Sequence, residues 1–148
     1  MTSQRGQVLV FVALVLPIVL LPAAAYAVDA ASAAAVHARL EQATWSAAES
    51  AVQQIDAGAL RAGRGVVLDQ RSVDAVAREA LVAEDPNATV ERLSVDGLDV
   101  TVEAAERLEL PLNFLGAPAV ELRAKATARL TLGYERPSSF LPFSVKTL

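Results

Sequence analysis

The sequence predicts an α+β protein: a long N-terminal helix, part transmembrane and part amphipathic, a second short helix, and a small antiparallel sheet of about three to four strands. Three observations carry this. Residues 8–28 hold no charged side chain. Residues 29–57 are rich in alanine and contain neither glycine nor proline. Residues 120–132 alternate strictly between apolar and polar side chains.

The apolar stretch comes first. At about 1.5 Å per helical residue, residues 8–28 span roughly 32 Å, enough to cross a hydrocarbon core of about 30 Å. Arg5 and the amino terminus lie on one side and Asp29 on the other. The positive side is expected in the cytoplasm and the bulk of the chain outside. Residues 1–7 then form a cytoplasmic leader. Two fates compete for the stretch. It is either a retained anchor or a signal peptide removed after Ala27, because Ala25-Tyr26-Ala27 is an A-x-A cleavage pattern. Pro17 and Pro22 lie within it and predict local unwinding, which a membrane helix tolerates.

The second segment, residues 29–57, is made of strong helix formers. Trp45, Ala48, Val52 and Ile55 recur at helical spacing, with Leu40, Ala47 and Ala51 alongside. Gln42, Ser46, Glu49, Gln53 and Asp56 mark an opposite, polar face. Residues 8–57 therefore read as one rod of roughly 75 Å. A signal peptide needs no helix running through its cleavage site, so this continuity favours the anchor.

Residues 58–148 read as a small α+β head. Gly58, Gly63 and Gly65 predict a turn or mobile loop. Ser72 is a candidate N-cap for a helix that places Val73, Val76, Ala77, Ala80 and Leu81 on one stripe and stops before Pro86. From Asn87 the period becomes two. Leu93 and Val95 lead into the hairpin signal Asp96-Gly97, and Leu98, Val100, Val102 and Ala104 alternate with polar residues beyond it. In residues 120–132, Val120, Leu122, Ala124, Ala126, Ala128, Leu130 and Leu132 share one buried face. The alanines there invite a bulky neighbour, for which the Trp45 face of the long helix is the candidate. Two segments, 109–118 and 137–148, are unusually apolar. Either they fold over the open end of the core, or Leu112, Phe114, Leu115, Phe140 and Phe143 are subunit contacts.

Composition narrows the function. The chain has 148 residues, no cysteine, and single His, Met and Trp residues. Arg5 is the only charge before Asp29, so the rest carries 12 of the 13 basic residues against all 17 acidic ones, a net −5. A nucleic-acid groove needs a basic face, which this balance argues against. Glu103, Glu106, Glu109, Asp96 and Asp99 fall on what reads as the wet face or turns of a sheet, and His37 has no evident partner. No residue is assigned a catalytic, cofactor-binding or metal-binding role, and no small-molecule substrate is expected.

Arg5-Gly6-Gln7-Val8-Leu9-Val10-Phe11-Val12-Ala13-Leu14-Val15-Leu16-Pro17 resembles the N-terminal motif of the TadE/TadG-like proteins of Tad (tight adherence, Flp-type, type IVc) pilus assembly. Arg39-Leu40-Glu41-Gln42-Ala43-Thr44-Trp45-Ser46-Ala47-Ala48 is similar to the Arg-Leu-Gln-x-Ala-rich end of that family's first helix. The apolar loop at Leu110 to Leu115, followed by an Ala/Thr strand, also resembles members. The resemblance implies a pilin-like or pseudopilin-like layout and a single-pass protein of the bacterial cytoplasmic membrane, possessing no enzymatic activity. It implies a minor pilin or accessory subunit that associates with other pilin-like subunits and the assembly machinery. Processing is implied between Gly6 and Gln7, and assembly along a helix bearing Phe11, Pro17, Pro22, Leu40 and Trp45. One departure stands out. Many such proteins carry a glutamate five residues after the processing glycine, where this chain has Phe11. Without that carboxylate a neighbour's amino terminus has no partner in the apolar fibre core, which points to an accessory or minor role.

Overall fold

The computed structural model describes residues 3–113, 116 and 118–131, with side chains from Leu9 onward. Helix α1 runs from Ser3 to Val52, about 75 Å at the usual helical rise. It passes through Pro17 and Pro22 as helix, so the expected unwinding near them does not occur. A proline removes one donor from the ladder, and the turns on both sides carry the helix across it.

α1 ends five residues before the expected position 57. There the backbone finds other partners: Asp69 N–H donates to Gln54 O at 2.9 Å and Asp56 N–H to Val67 O at 2.8 Å. These bonds pull Ile55 into a bridge with Leu68. The glycine-rich stretch expected to be a loop begins with a one-turn helix, α2 (Ala57–Arg61), capped by the Asp56 carboxylate, which accepts from Gly58 and Ala59 N–H. Helix α3 (Gln70–Glu84) has its N-cap three residues earlier than the predicted Ser72. Asp69 is the N-cap, accepting from Arg71 N–H, and Ser72 donates its hydroxyl to Asp69 at 2.7 Å. That bond holds the Asp69 carboxyl below the usual carboxylate range. α3 stops at Asp85, which precedes Pro86 and is extended as that position requires.

Strands β1 (Thr89–Asp96), β2 (Asp99–Glu109) and β3 (Ala119–Arg129) form an antiparallel meander in the order β1-β2-β3. Gly97 and Leu98 close the first hairpin, with Gly97 at φ 62°, where a side chain is disfavoured. β3 follows the predicted alternation: Ala124, Ala126 and Ala128 are buried, and Arg123, Lys125, Thr127 and Arg129 face water. Residue 132, at the end of its predicted span, lies outside the described residues.

The second half of α1 lies across β2 and β3, with α3 beside it over β1. Residues 29–52 are thus the spine of the head rather than a stalk leading to it. Their buried stripe is Leu40, Ala43, Thr44, Ala47, Ala48, Ala51 and Val52, the 3-and-4 spacing of one helix face. Trp45 is one residue, or about 100°, off that stripe. It is 50% exposed, which corrects the expectation that it fills the space over the β3 alanines. Small residues meet small residues instead: Ala48 and Ala51 pack with Ala126 and Ala128, and Ala43 and Ala47 with Ala104 and Ala124. Ile55, expected on the same stripe, is also exposed. Thr44 is satisfied inside the core by donating to Leu40 O at 2.6 Å. The layout is α+β and pilin-like.

Truncating the two large side chains of this helix separates core from surface. Leu40→Ala should cost about 2–5 kcal/mol. Trp45→Ala, losing a half-exposed side chain, should cost under about 1 kcal/mol. Urea unfolding of the full chain in detergent, followed by circular dichroism, measures both. Equal losses would contradict the packing described.

Candidate functional site

Two features of α1 bear on function: a bare apolar half, and the polar attachments that tie the head to it. From Leu9 to Leu21 every side chain of the helix is exposed, including Phe11 at 67%. Apolar side chains in continuous exposure over this length are unusual for a protein surface in water. The helix is long and apolar enough to cross a membrane.

Cover begins gradually and on one face. Pro22 and Ala25 are partly covered, Asp29 is fully buried, and Ser32, Ala33, Val36 and His37 continue the same face down to Leu40. Asp29 Oδ1 accepts the backbone N–H of Leu112 at 3.0 Å. A residue that reads in the sequence only as the end of an apolar stretch is therefore an acceptor for a turn 83 positions further along the chain.

Deeper in the head a second attachment joins three elements. Arg39 Nε donates to Asp85 Oδ2 at 3.0 Å, and its Nη2 donates to Glu106 Oε1 at 3.1 Å. Asp85 is the C-cap of α3 and Glu106 lies in β2. Both carboxylates are buried, at 0% and 4% exposure, while the Arg39 side chain stays half in water. Glu106 corrects its expected place on the wet face. It shares parity with Val100, Val102 and Ala104, so it points toward the helices.

Two buried acids thus face one arginine. Burial, followed by the charge of Asp85 and a hydrogen bond with it, raises the Glu106 pKa above its ordinary value, while Arg39 and Asn87 act in the opposite direction. The paired acids, Asp85 first, hold Arg39 more firmly protonated than a free arginine. Glu106 Oε2 is buried and makes no hydrogen bond among the described residues. The outer face of the sheet is internally paired: Lys125 Nζ lies 2.9 Å from Glu103 Oε1 and lowers the Glu103 pKa, and Arg92 approaches the same carboxylate at 3.8 Å.

No family model, curated protein or solved structure matches the chain.

The sequence-predicted residues separate accordingly. Gly6 and Gln7 lie in the first turns of α1. Phe11 and Pro17 lie on its bare half, with Pro22 and Ala25 where cover begins and Ala27 exposed. Ala25-Tyr26-Ala27 is therefore inside uninterrupted helix. Leu40 is core and Trp45 is surface. Trp45 borders a shallow groove of about 540 Å³ shared with Val52, Gln53, Thr127 and Leu130. Leu112 is exposed beside Asp29. Phe114, Leu115, Phe140 and Phe143 lie outside the described residues. His37 has a neighbour after all, with Nε2 at 3.4 Å from Glu41 Oε1 one turn on. Among the described residues, no group of three or more His, Asp and Glu side chains is arranged to hold a metal ion.

The acid pair gives a pH signature of known sign. A carboxyl whose pKa is raised by folding adds stability below its unfolded value, and that stability is lost as pH rises through the folded value. Glu106→Gln mimics the protonated acid. The variant should be more stable than the parent at pH 7, with the gap closing as pH falls toward 4.5, the ordinary Glu value. Urea midpoints across that range measure it, and a gap that widens with acid would contradict the assignment. Arg39→Met, which strands both acids, should destabilise at pH 7 more than Arg78→Met, which removes only an exposed pair with Asp74.

Proposed function

We propose that this protein is a membrane-anchored minor pilin-like subunit or accessory protein of Tad- or type IV-like pilus assembly, acting by association rather than by chemistry. The observation that carries the reading is the division of α1: one helix supplies both a bare apolar half and the spine of a small folded head. A soluble domain gains nothing from exposing residues 9–21. A subunit that passes between bilayer and assembly needs that surface in both places.

In this reading the bare half spans the cytoplasmic membrane, with Arg5 inside and the head outside. Apolar side chains gain little by leaving lipid for one another, so association depends on close packing, helped by the alanines along α1. The head fixes the angle at which neighbouring subunits meet, and Phe11 faces them in place of a carboxylate. The partners are other pilin-like subunits and assembly proteins, and a minor place in a filament or a place in the membrane machine both use the same surface.

A second reading, a secreted binding domain cut after Ala27, has one observation of its own. The buried contacts of the head begin at Asp29, so release at that point leaves the described core whole. The length of the mature chain separates the two. Intact mass spectrometry of protein from alkali-washed membranes should give a chain starting at Met1 or Gln7, and Leu16→Arg with Ile18→Arg should remove it from that fraction. A mature chain starting at Val28 in the soluble fraction would overturn the anchor and establish the secreted form.

A further inference from the structure

We infer that the turn at Pro111 to Asn113 is a second membrane contact, resting in the headgroup region beside α1 and holding the head against the bilayer at a fixed height. The inference rests on the reading of α1 as a membrane anchor and goes beyond it, because an anchor alone leaves the head free to stand off the surface.

The geometry leaves the turn little choice. Leu112 N–H donates to Asp29 Oδ1, and Asp29 directly follows the uncharged stretch that ends at Val28. Side chains on a helix lean toward its N-terminus, so the Asp29 carboxylate, and the turn bonded to it, sit on the membrane side of the Asp29 Cα. Cover on this face continues to Ala25 and Pro22, about 6 and 10 Å further toward the bilayer at the usual helical rise. Full insertion of the apolar stretch therefore brings the covered face of the head into the interface with it. Keeping the head clear of lipid leaves apolar residues 22–28 in water.

The turn has the character of an interfacial contact. Residues 110–113 carry no charge. Leu110 is buried and its N–H donates to Pro118 O at 3.2 Å, so the turn is fastened to the head at its base. Asn113 takes a positive φ of 52°, a conformation that asparagine tolerates better than most residues. Beyond that base, Pro111 and Leu112 point outward, with Leu112 53% exposed. On α1, Tyr26 and Val28 are exposed at the same level, and tyrosine is enriched at this depth of a bilayer. An exposed leucine and proline on the turn, and an exposed tyrosine one turn before Asp29 on α1, match the boundary between headgroups and acyl chains. The occupant of this surface is lipid, continuous with the lipid around the anchor.

Tryptophan fluorescence tests this directly, because the chain has a single Trp. Three full-length proteins are reconstituted in phosphatidylcholine vesicles brominated either near the headgroup or at the bilayer centre. They are the parent, W45F/F11W and W45F/L112W. Trp45 lies about 24 Å along α1 from Asp29 and should not be quenched by either lipid. F11W lies about 10 Å from the middle of the apolar stretch and about 5 Å from its cytoplasmic end, so it should be quenched by the shallow bromines. L112W should shift to the blue and be quenched by the shallow bromines. If F11W is quenched while L112W behaves like Trp45, the inference fails and the anchor stands. Should F11W also escape quenching, both fail. A blue-shifted but unquenched L112W places a second protein surface over the turn and overturns lipid as its occupant. W45F/P111W reports on the same face if replacing Leu112 disturbs the bond to Asp29.

Discussion

The structure depends on how closely α1 approaches the sheet. Ala43, Ala47, Ala48 and Ala51 of the helix share buried clusters with Ala104, Ala124, Ala126 and Ala128 of the sheet. Each alanine buries little apolar area, so this contact alone is a modest source of stability. Its value is geometric. Small residues on both surfaces permit a close approach, and the larger buried side chains, Val52, Val73, Leu81, Val100 and Val102, fill the rest of the core. Because the helix held this way is also the apolar one, the head cannot tilt without tilting the bare half of α1.

The polar contacts act at two heights on the same rod. Asp29 holds the turn at Leu112 close to the end of the apolar stretch, and Arg39, about 15 Å further on, gathers the end of α3 and the middle of β2. Neither is a surface ion pair of small consequence. In both, a buried carboxylate has been taken out of water and depends on the donor supplied by another element. Burial first, and then the charge of Asp85 beside it, explain why Glu106 binds its proton more tightly than an exposed glutamate. Attachments of this kind resist loosening where the apolar half of α1 meets the head.

Much of this architecture is legible in the sequence, and the rest is not for identifiable reasons. Strict alternation over residues 120–132 predicts β3 with the correct buried face, and Asp96-Gly97 predicts the hairpin, because period and turn chemistry are local properties. The long helix is legible from composition, but its buried stripe is not. In an alanine-rich segment a 3-and-4 spacing counted from Trp45 looks as good as one counted from Thr44, and only the sheet decides between them. The end of α1 at Val52 depends on backbone bonds from residues 67 and 69, which no local pattern shows. Glu106 was findable: it has the parity of Val100, Val102 and Ala104, and a charge at an inward position asks for a partner. That the partner is Arg39, and that Asp29 belongs with Leu112, are tertiary facts with no local sequence signal.

The central claim is that α1 is one rigid element, shared between bilayer and head. Its most direct test is a distance. The chain has no cysteine, so Leu14→Cys with Glu49→Cys gives two exposed labelling sites on α1 without removing a native thiol. Pulsed dipolar spectroscopy on the full-length protein in lipid nanodiscs should show a single narrow distribution centred near 50 Å, as 35 residues of continuous helix require at about 1.5 Å each. A broad distribution, or one centred well below that distance, would mean that the anchor and the spine of the head are separate helices, and would contradict the account.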